Sequence, residues 1–126
     1  MKSNLILIVE DDDEERERLR QTLQDHGYAI EESRTWQNGV LNRPDELADL
    51  AIVDVVLPQK DGIESIVQLR AHHPKLQILA LSSGEPFHPD NCMAKARKVG
   101  ANRALAKPYT SEELIAEVER LLPKRR

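Results

Sequence analysis

The apolar run Leu5-Ile6-Leu7-Ile8-Val9 passes directly into the acidic group Glu10-Asp11-Asp12. An unbroken run of aliphatic residues, without alternating polar positions, is typical of a parallel β-strand that is buried on both faces. Residues 50–53 and 77–81 form runs of the same kind, and shorter runs at 29–31 and 104–106 complete a set of five predicted strands.

Helical patterns separate these strands. The segments 14–26, 63–72, 91–99 and 110–122 combine charged residues with apolar residues at helical spacing. Gly27 and Gly100 stand where a helix would end, and Thr110 and Glu113 have the spacing of a capping box. Between the second and third strands the pattern is poor, and we expect a helix that is short or broken near Pro44.

The alternation of strands and helices predicts a doubly wound α/β fold, with right-handed crossovers and helices on both faces of a parallel sheet. A chain of 126 residues suits one domain over residues 1–126. The net charge of −4 disfavours nucleic acid as a partner, and no apolar stretch is long enough to span a membrane. Cys92 is the single cysteine, so no internal disulfide can form. We therefore expect a cytoplasmic protein.

Polar residues follow four of the five predicted strands. Glu10 and Asp11 follow the first strand, Asp54 the third, Ser82 the fourth and Lys107 the fifth. Ligands of such sheets bind beyond the carboxyl ends of the strands, so we expect these side chains to meet at one edge. Three carboxylates placed close together repel unless a cation joins them, and oxygen ligands favour Mg²⁺. Asp54 would then be a nucleophile for phosphorus.

Four segments of the chain, in this order and at this spacing, resemble the receiver domain of bacterial response regulators. They are Leu5-Ile6-Leu7-Ile8-Val9-Glu10-Asp11-Asp12, then Asp54-Val55-Val56-Leu57-Pro58 with Lys60-Asp61-Gly62, then Leu81-Ser82-Ser83, and finally Gly100-Ala101 with Lys107-Pro108. The resemblance covers essentially the whole chain. It implies a flavodoxin-like receiver fold whose five parallel strands have the order 2-1-3-4-5.

The resemblance also implies a role for each residue around the phosphoryl group. Asp54 matches the aspartate that is phosphorylated, and Ser82 and Lys107 match the two partners of the phosphoryl oxygens. Pro108 implies a cis Lys107–Pro108 peptide bond.

A second set of residues is implied for magnesium. Asp11 matches a direct metal ligand, and Glu10 matches an acid that acts through metal-bound water. Asp54 shares the metal, and Val56 matches the residue whose main-chain carbonyl completes the site.

The chain departs from the receiver pattern at three places. Ala104 replaces the aromatic ring that usually moves during activation, so we expect output to use loop movements and the helix after the fourth strand. The segment 83–90 is about three residues longer than we expect and is interpreted either as a lid or partner contact or as a surface loop. Val56 replaces a polar residue that can hold the attacking water, which predicts an aspartyl phosphate that is not especially short-lived.

The sequence thus predicts a phosphoacceptor signalling protein rather than an enzyme. Its expected phosphoryl donor is a histidine kinase or a histidine phosphotransfer protein, while the output partner stays unidentified. Met1 and a basic C-terminal end favour a single-domain response regulator that signals by protein–protein contact. A receiver-fold binding module that acts without phosphorylation is the alternative, favoured by Ala104. A metal-dependent phosphatase is disfavoured because Val56 stands where its second acid is usually found.

Overall fold

The computed structural model describes residues 4–35, 48–55, 61–82 and 96–122, apart from the side chains of residues 61, 62 and 82. Strands and helices alternate along these segments. The strands are β1 (Leu5–Val9), β2 (Ala29–Ser33), β3 (Leu50–Val55), β4 (Gln77–Ser82) and β5 (Arg103–Ala106). The helices are α1 (Asp13–Asp25), α2 (Asp61–His72) and α3 (Ser111–Leu121), and residues 96–99 are also helical.

The five strands form one parallel sheet in the order β2-β1-β3-β4-β5. This confirms the predicted strand order. The register places Asp54 of β3 beside Leu81 of β4, and Ser82 of β4 beside Ala106 of β5. Because all strands run the same way, the residues at their carboxyl ends share one edge of the sheet.

Side chains of β1 alternate between two separate cores, one on each face of the sheet. Ile6 and Ile8 belong to the core that α1 and α3 cover, whereas Leu7 and Val9 belong to the core that α2 and residues 96–101 cover. Each fully buried aliphatic side chain of this kind stabilises the fold by about 1.5 to 3 kcal/mol. The two-sided burial is the physical reason for the unbroken apolar run in β1.

Most predicted strand bounds differ slightly from the observed ones. β1 has the predicted bounds, whereas β2 and β3 run two residues further, β4 one residue further, and β5 begins one residue earlier. Asp54 therefore lies inside β3 and not after it. The main chain pairs regardless of side-chain polarity, so the β3–β4 ladder continues through Asp54 and Val55.

The helices also follow the predictions to within about two residues. The capping box of α3 is confirmed: Thr110 Oγ1 accepts from the Glu113 amide at 3.0 Å, and Glu113 Oε1 accepts from the Thr110 amide at 2.8 Å. The helical residues 96–99 end as predicted before Gly100, while the start of that helix and the predicted helix near Pro44 lie outside the described residues. In the described part of the chain, no helix is both long and apolar enough to cross a membrane.

Gly100 allows two chain segments to approach closely. Its φ is +138°, a conformation that L side chains rarely adopt, and a Cβ added there would lie 3.1 Å from Arg70 Cβ. Arg70 Nε and Nη2 donate to the Gly100 carbonyl at 3.2 and 2.8 Å. Arg70 thereby joins the end of α2 to the turn that leads into β5.

Candidate functional site

Asp54 lies near the carboxyl end of the central strand β3, with a side chain that is only 10% exposed. Lys107, which follows β5, places its Nζ 3.1 Å from Asp54 Oδ1. The pair lacks the geometry of a hydrogen bond, and Oδ1 has no hydrogen-bond partner within the described residues. The structure therefore brings together two of the predicted phosphoryl-transfer residues and leaves one Asp54 oxygen without a hydrogen bond.

Glu10 follows β1 and is held in a buried position. Its amide donates to the Ser33 carbonyl at 3.0 Å, and its Oε2 accepts from the Asp12 amide at 3.1 Å. Arg16 Nη1 donates to the Glu10 carbonyl at 2.9 Å, which fixes the main chain as well. Glu10 Oε1 is buried with no hydrogen-bond partner among the described residues. Burying a carboxylate oxygen without a hydrogen-bond partner costs free energy, and a bound ion or water would offset this cost.

Glu10 and Asp54 affect each other's ionisation. Burial, followed by the nearby Asp54 carboxylate, raises the pKa of Glu10 to about 7. Burial also raises the pKa of Asp54, although the Lys107 ammonium opposes this. Near neutral pH, two such carboxylates resist being ionised together unless a cation lies between them.

Lys107 contacts a second carboxylate, Glu15 of α1. Its Nζ donates to Glu15 Oε2 at 3.0 Å. Burial alone would lower the pKa of Lys107, but the Asp54 carboxylate and the hydrogen bond to Glu15 outweigh it and leave the pKa raised. Lys107 therefore carries its positive charge at neutral pH, between two anionic groups.

Glu15 was not among the predicted site residues. A signal was available: α1 begins only four residues after β1 ends, so its first turn must lie at the same edge of the sheet. Tyr109 was also missed. It is partly buried against the core below α1 and α3, and burial, opposed by Lys107 but assisted by the surrounding acids, raises its pKa to about 12.

The remaining predicted residues are placed less completely. Asp11 is exposed, and within residues 4–35, 48–55, 61–82 and 96–122 no three His, Cys, Asp or Glu side chains form a group that could hold a metal ion. Of the three carboxylates predicted to meet, only those of Glu10 and Asp54 lie together in the described part of the chain. Ser82 has its main chain at the carboxyl end of β4, but its side chain, like all of Val56, lies outside the described residues.

Two further predictions concern the segment around β5. The cis Lys107–Pro108 peptide bond is present. Ala104 occupies the position of the missing aromatic ring and is a partly buried residue packed against the core that α2 covers.

The segment 83–90 lies outside the described residues.

A parallel sheet in this order, with an aspartate, a buried acid and a lysine at its carboxyl edge, is the arrangement that the resemblance to receiver domains predicts. The family model of the response regulator receiver domain matches residues 6–119. The chain belongs to the response regulator receiver domain family, whose members are signalling proteins of two-component systems.

The curated relatives are response regulators. The chain is similar to the response regulator MprA of Mycobacterium sp. strain KMS, at 36% identity over 124 residues, which is 93% of this chain and 50% of MprA. MprA of Mycolicibacterium vanbaalenii is 32% identical over 117 residues, again 93% of this chain and 49% of the relative. The chain therefore spans about half the length of the curated relatives that it matches.

Solved structures give the same fold. A response regulator from Chloroflexus aurantiacus superposes with a TM-score of 0.83 at 30% identity, covering 98% of this chain and 100% of the other. A CheY-like receiver domain protein from Methanospirillum hungatei has a TM-score of 0.79 at 24% identity, covering 95% and 94% of the two chains. The second similarity bears on the fold alone.

Proposed function

We propose that this receiver domain accepts a phosphoryl group on Asp54. The observation that carries the proposal is the pairing of a little-exposed Asp54 with Lys107 at 3.1 Å, next to the buried Glu10. A carboxylate oxygen of Asp54 would act as the nucleophile that attacks phosphorus. The neighbouring ammonium neutralises charge on the phosphoryl oxygens, which is most of what phosphoryl transfer requires from a protein.

In the proposed step, an oxygen of Asp54 forms a bond to phosphorus while the bond from phosphorus to its donor atom breaks. With phosphohistidine as the donor, the imidazole nitrogen leaves and takes up a proton. The product is an acyl phosphate on Asp54, and its hydrolysis returns the carboxylate and inorganic phosphate. Lys107 pairs with one phosphoryl oxygen, and we assign the Ser82 hydroxyl to another. The domain thus catalyses only its own phosphorylation and dephosphorylation.

Two acids at this edge of the sheet, Glu10 and Asp54, would supply oxygen ligands that suit magnesium. Glu10 Oε1 is buried without a partner, and its carboxyl lies close enough to Asp54 for their charges to interact. Hard divalent cations prefer such oxygens. The side chains of Glu10, Asp11 and Asp54 and the main-chain carbonyl of Val56 would hold the ion. When bound, Mg²⁺ would neutralise the carboxylates and the charge of the phosphoryl group.

The proposed donor is a histidine kinase or a histidine phosphotransfer protein, and the proposed output is protein–protein contact with a partner still to be identified. Membership of a two-component signalling family supports the donor class. We place the domain in the cytoplasm because Cys92 is its single cysteine. We propose no nucleic-acid ligand, because the net charge is −4, and no membrane ligand, because no apolar stretch of the sequence is long enough to span a bilayer. The same proposal includes the expectation that a single-domain response regulator makes these contacts.

The test is phosphorylation by acetyl phosphate in magnesium buffer, followed by intact-mass spectrometry and peptide mapping. We expect one phosphoryl group on the wild type and none on Asp54→Asn. Asp25→Asn, at the exposed end of α1, is the matched control and should be labelled like the wild type. Label at another residue, or equal label on Asp54→Asn, would contradict the proposal. A folded protein that takes no label would favour the binding module that acts without phosphorylation.

A further inference from the structure

The ammonium of Lys107 is shared unequally between two carboxylates. It lies 3.1 Å from Asp54 Oδ1 and 3.0 Å from Glu15 Oε2, but only the contact with Glu15 has hydrogen-bond geometry. The residues in this contact are 92 positions apart in the chain. The lysine that faces the phosphoacceptor is thus hydrogen-bonded to an acid on a different element.

Glu15 is held in place independently of Lys107. Its Oε1 accepts from Arg18 Nη1 at 2.8 Å, so its two oxygens have two different cationic partners. It lies in the first turn of α1, whose dipole favours an acidic residue. Leu19, one turn further on, is 2% exposed and fixes the helix against the sheet. Glu15 therefore presents its carboxylate to Lys107 from a helix that is packed against the sheet.

We propose that Glu15 is a positioning residue that competes with the phosphoryl group for the Lys107 ammonium. This inference rests on the proposed function, because it concerns the lysine of that same site. In the unphosphorylated domain Glu15 accepts the hydrogen bond of Lys107. A phosphoryl group on Asp54 must draw the ammonium from Glu15 or share it with Glu15. Glu15 therefore limits how strongly the site holds a phosphoryl group.

The proposal predicts opposite effects on cations and anions. Replacing Glu15 by a neutral amide removes a negative charge from the neighbourhood of Asp54 and releases Lys107. An anion at Asp54 should then bind more tightly, whereas Mg²⁺ should bind more weakly. A merely structural defect would weaken both ligands, so the signs of the two changes separate positioning from folding.

The experiment uses the whole chain and three variants. Mg²⁺ affinity is measured by calorimetry, and beryllium fluoride affinity is measured at saturating Mg²⁺. For Glu15→Gln we expect beryllium fluoride to bind about three- to tenfold more tightly and Mg²⁺ about two- to fivefold more weakly. Glu14→Gln, an exposed neighbour in the same helical turn with the same change of charge, should leave both affinities within about twofold of wild type. Glu15→Asp keeps the charge but shortens the reach, so its affinities should fall between those of Glu15→Gln and wild type.

Thermal denaturation of each variant accompanies the titrations. If Glu15→Gln does not fold, Glu15→Asp provides the test, and wild-type affinities in it would overturn the proposal. A loss of affinity for both ligands in a folded Glu15→Gln would also overturn it, as would a change of equal size in Glu14→Gln. Acetyl phosphate labelling of the wild type separates the two levels. If the wild type is labelled on Asp54 but the Mg²⁺ and beryllium fluoride affinities of Glu15→Gln equal those of the wild type, only the role of Glu15 is overturned. If Asp54 takes no label, both proposals are overturned.

Discussion

Lys107 Nζ lies 3.1 Å from Asp54 Oδ1, although the pair lacks the angular geometry of a hydrogen bond. The two groups thus meet as an ion pair across the edges of β3 and β5, with Asp54 only 10% and Lys107 19% exposed. In such partly buried surroundings the ammonium acts at higher effective strength than in water. Its charge is placed where a phosphoryl group on Asp54 would develop negative charge.

The first prediction concerns this lysine. Lys107→Gln removes the cation beside the phosphoryl group, and we expect the rate of Asp54 phosphorylation by acetyl phosphate to fall about 10²-fold. Mg²⁺ should bind more tightly to this variant, because a competing positive charge is lost. Lys107→Arg is the control, since it keeps the charge but changes its shape. Rapid labelling of Lys107→Gln at the wild-type rate would remove Lys107 from the proposed mechanism.

The second prediction is a fall in stability with rising pH in the absence of divalent cations. The pKa of Glu10 is raised from 4.5 to about 7, so between these values the folded protein binds a proton that the unfolded chain releases. Stability present below pH 4.5 is therefore lost as the pH rises through 7, by up to about 3 kcal/mol. Urea denaturation between pH 5 and pH 8 measures this change, and adding Mg²⁺ at pH 8 should restore stability.

Glu10→Gln is the variant that tests the origin of this pH dependence. The amide has nearly the same shape but cannot ionise, so the variant should lose most of the slope and exceed the wild type in stability at pH 8. Mg²⁺ should stabilise it less. An unchanged slope in Glu10→Gln, or a wild type whose stability does not fall over this range, would show that Glu10 is not the group responsible.

The third prediction concerns Gly100. Gly100→Ala places a side chain at a φ of +138° and 3.1 Å from Arg70 Cβ, and we expect a loss of about 2 to 3 kcal/mol in unfolding free energy. Gly27→Ala is the matched control: φ is +91° there, but nothing lies within 4 Å of the added Cβ. That change should cost about 1 kcal/mol. Equal losses in the two variants would mean that the contact with Arg70 is not a constraint.

The fourth prediction concerns the lifetime of the acyl phosphate. Val56 offers no polar group to hold an attacking water, so we expect the phosphoryl group on Asp54 to decay slowly. Decay of radiolabel in magnesium buffer measures the lifetime, and Val56→Asn should shorten it while leaving the fold intact. A wild-type half-life of only a few seconds would refute this prediction.

The site shows where sequence patterns stop being informative. Glu10, Asp54 and Lys107 could be predicted because each follows or ends an apolar strand, and parallel strands place those positions at one edge. Glu15 could not be selected among the acids of the first turn of α1, because nothing local distinguishes the acid that reaches Lys107. The length of β3 was also underestimated, since main-chain pairing continues past the last apolar residue.

The sequence by itself determined the architecture. Its signals are local and do not depend on how the side chains pack: they are the aliphatic runs, the helix ends at Gly27 and Gly100, and the capping box at Thr110. Only the tertiary structure decided how the charges share their partners. Lys107 can donate a hydrogen bond to Glu15 only because the first turn of α1 lies at the same edge of the sheet as the lysine that follows β5. The distances between a few buried charges depend on that packing to within an ångström, and electrostatic energy in a low-dielectric site depends on those distances.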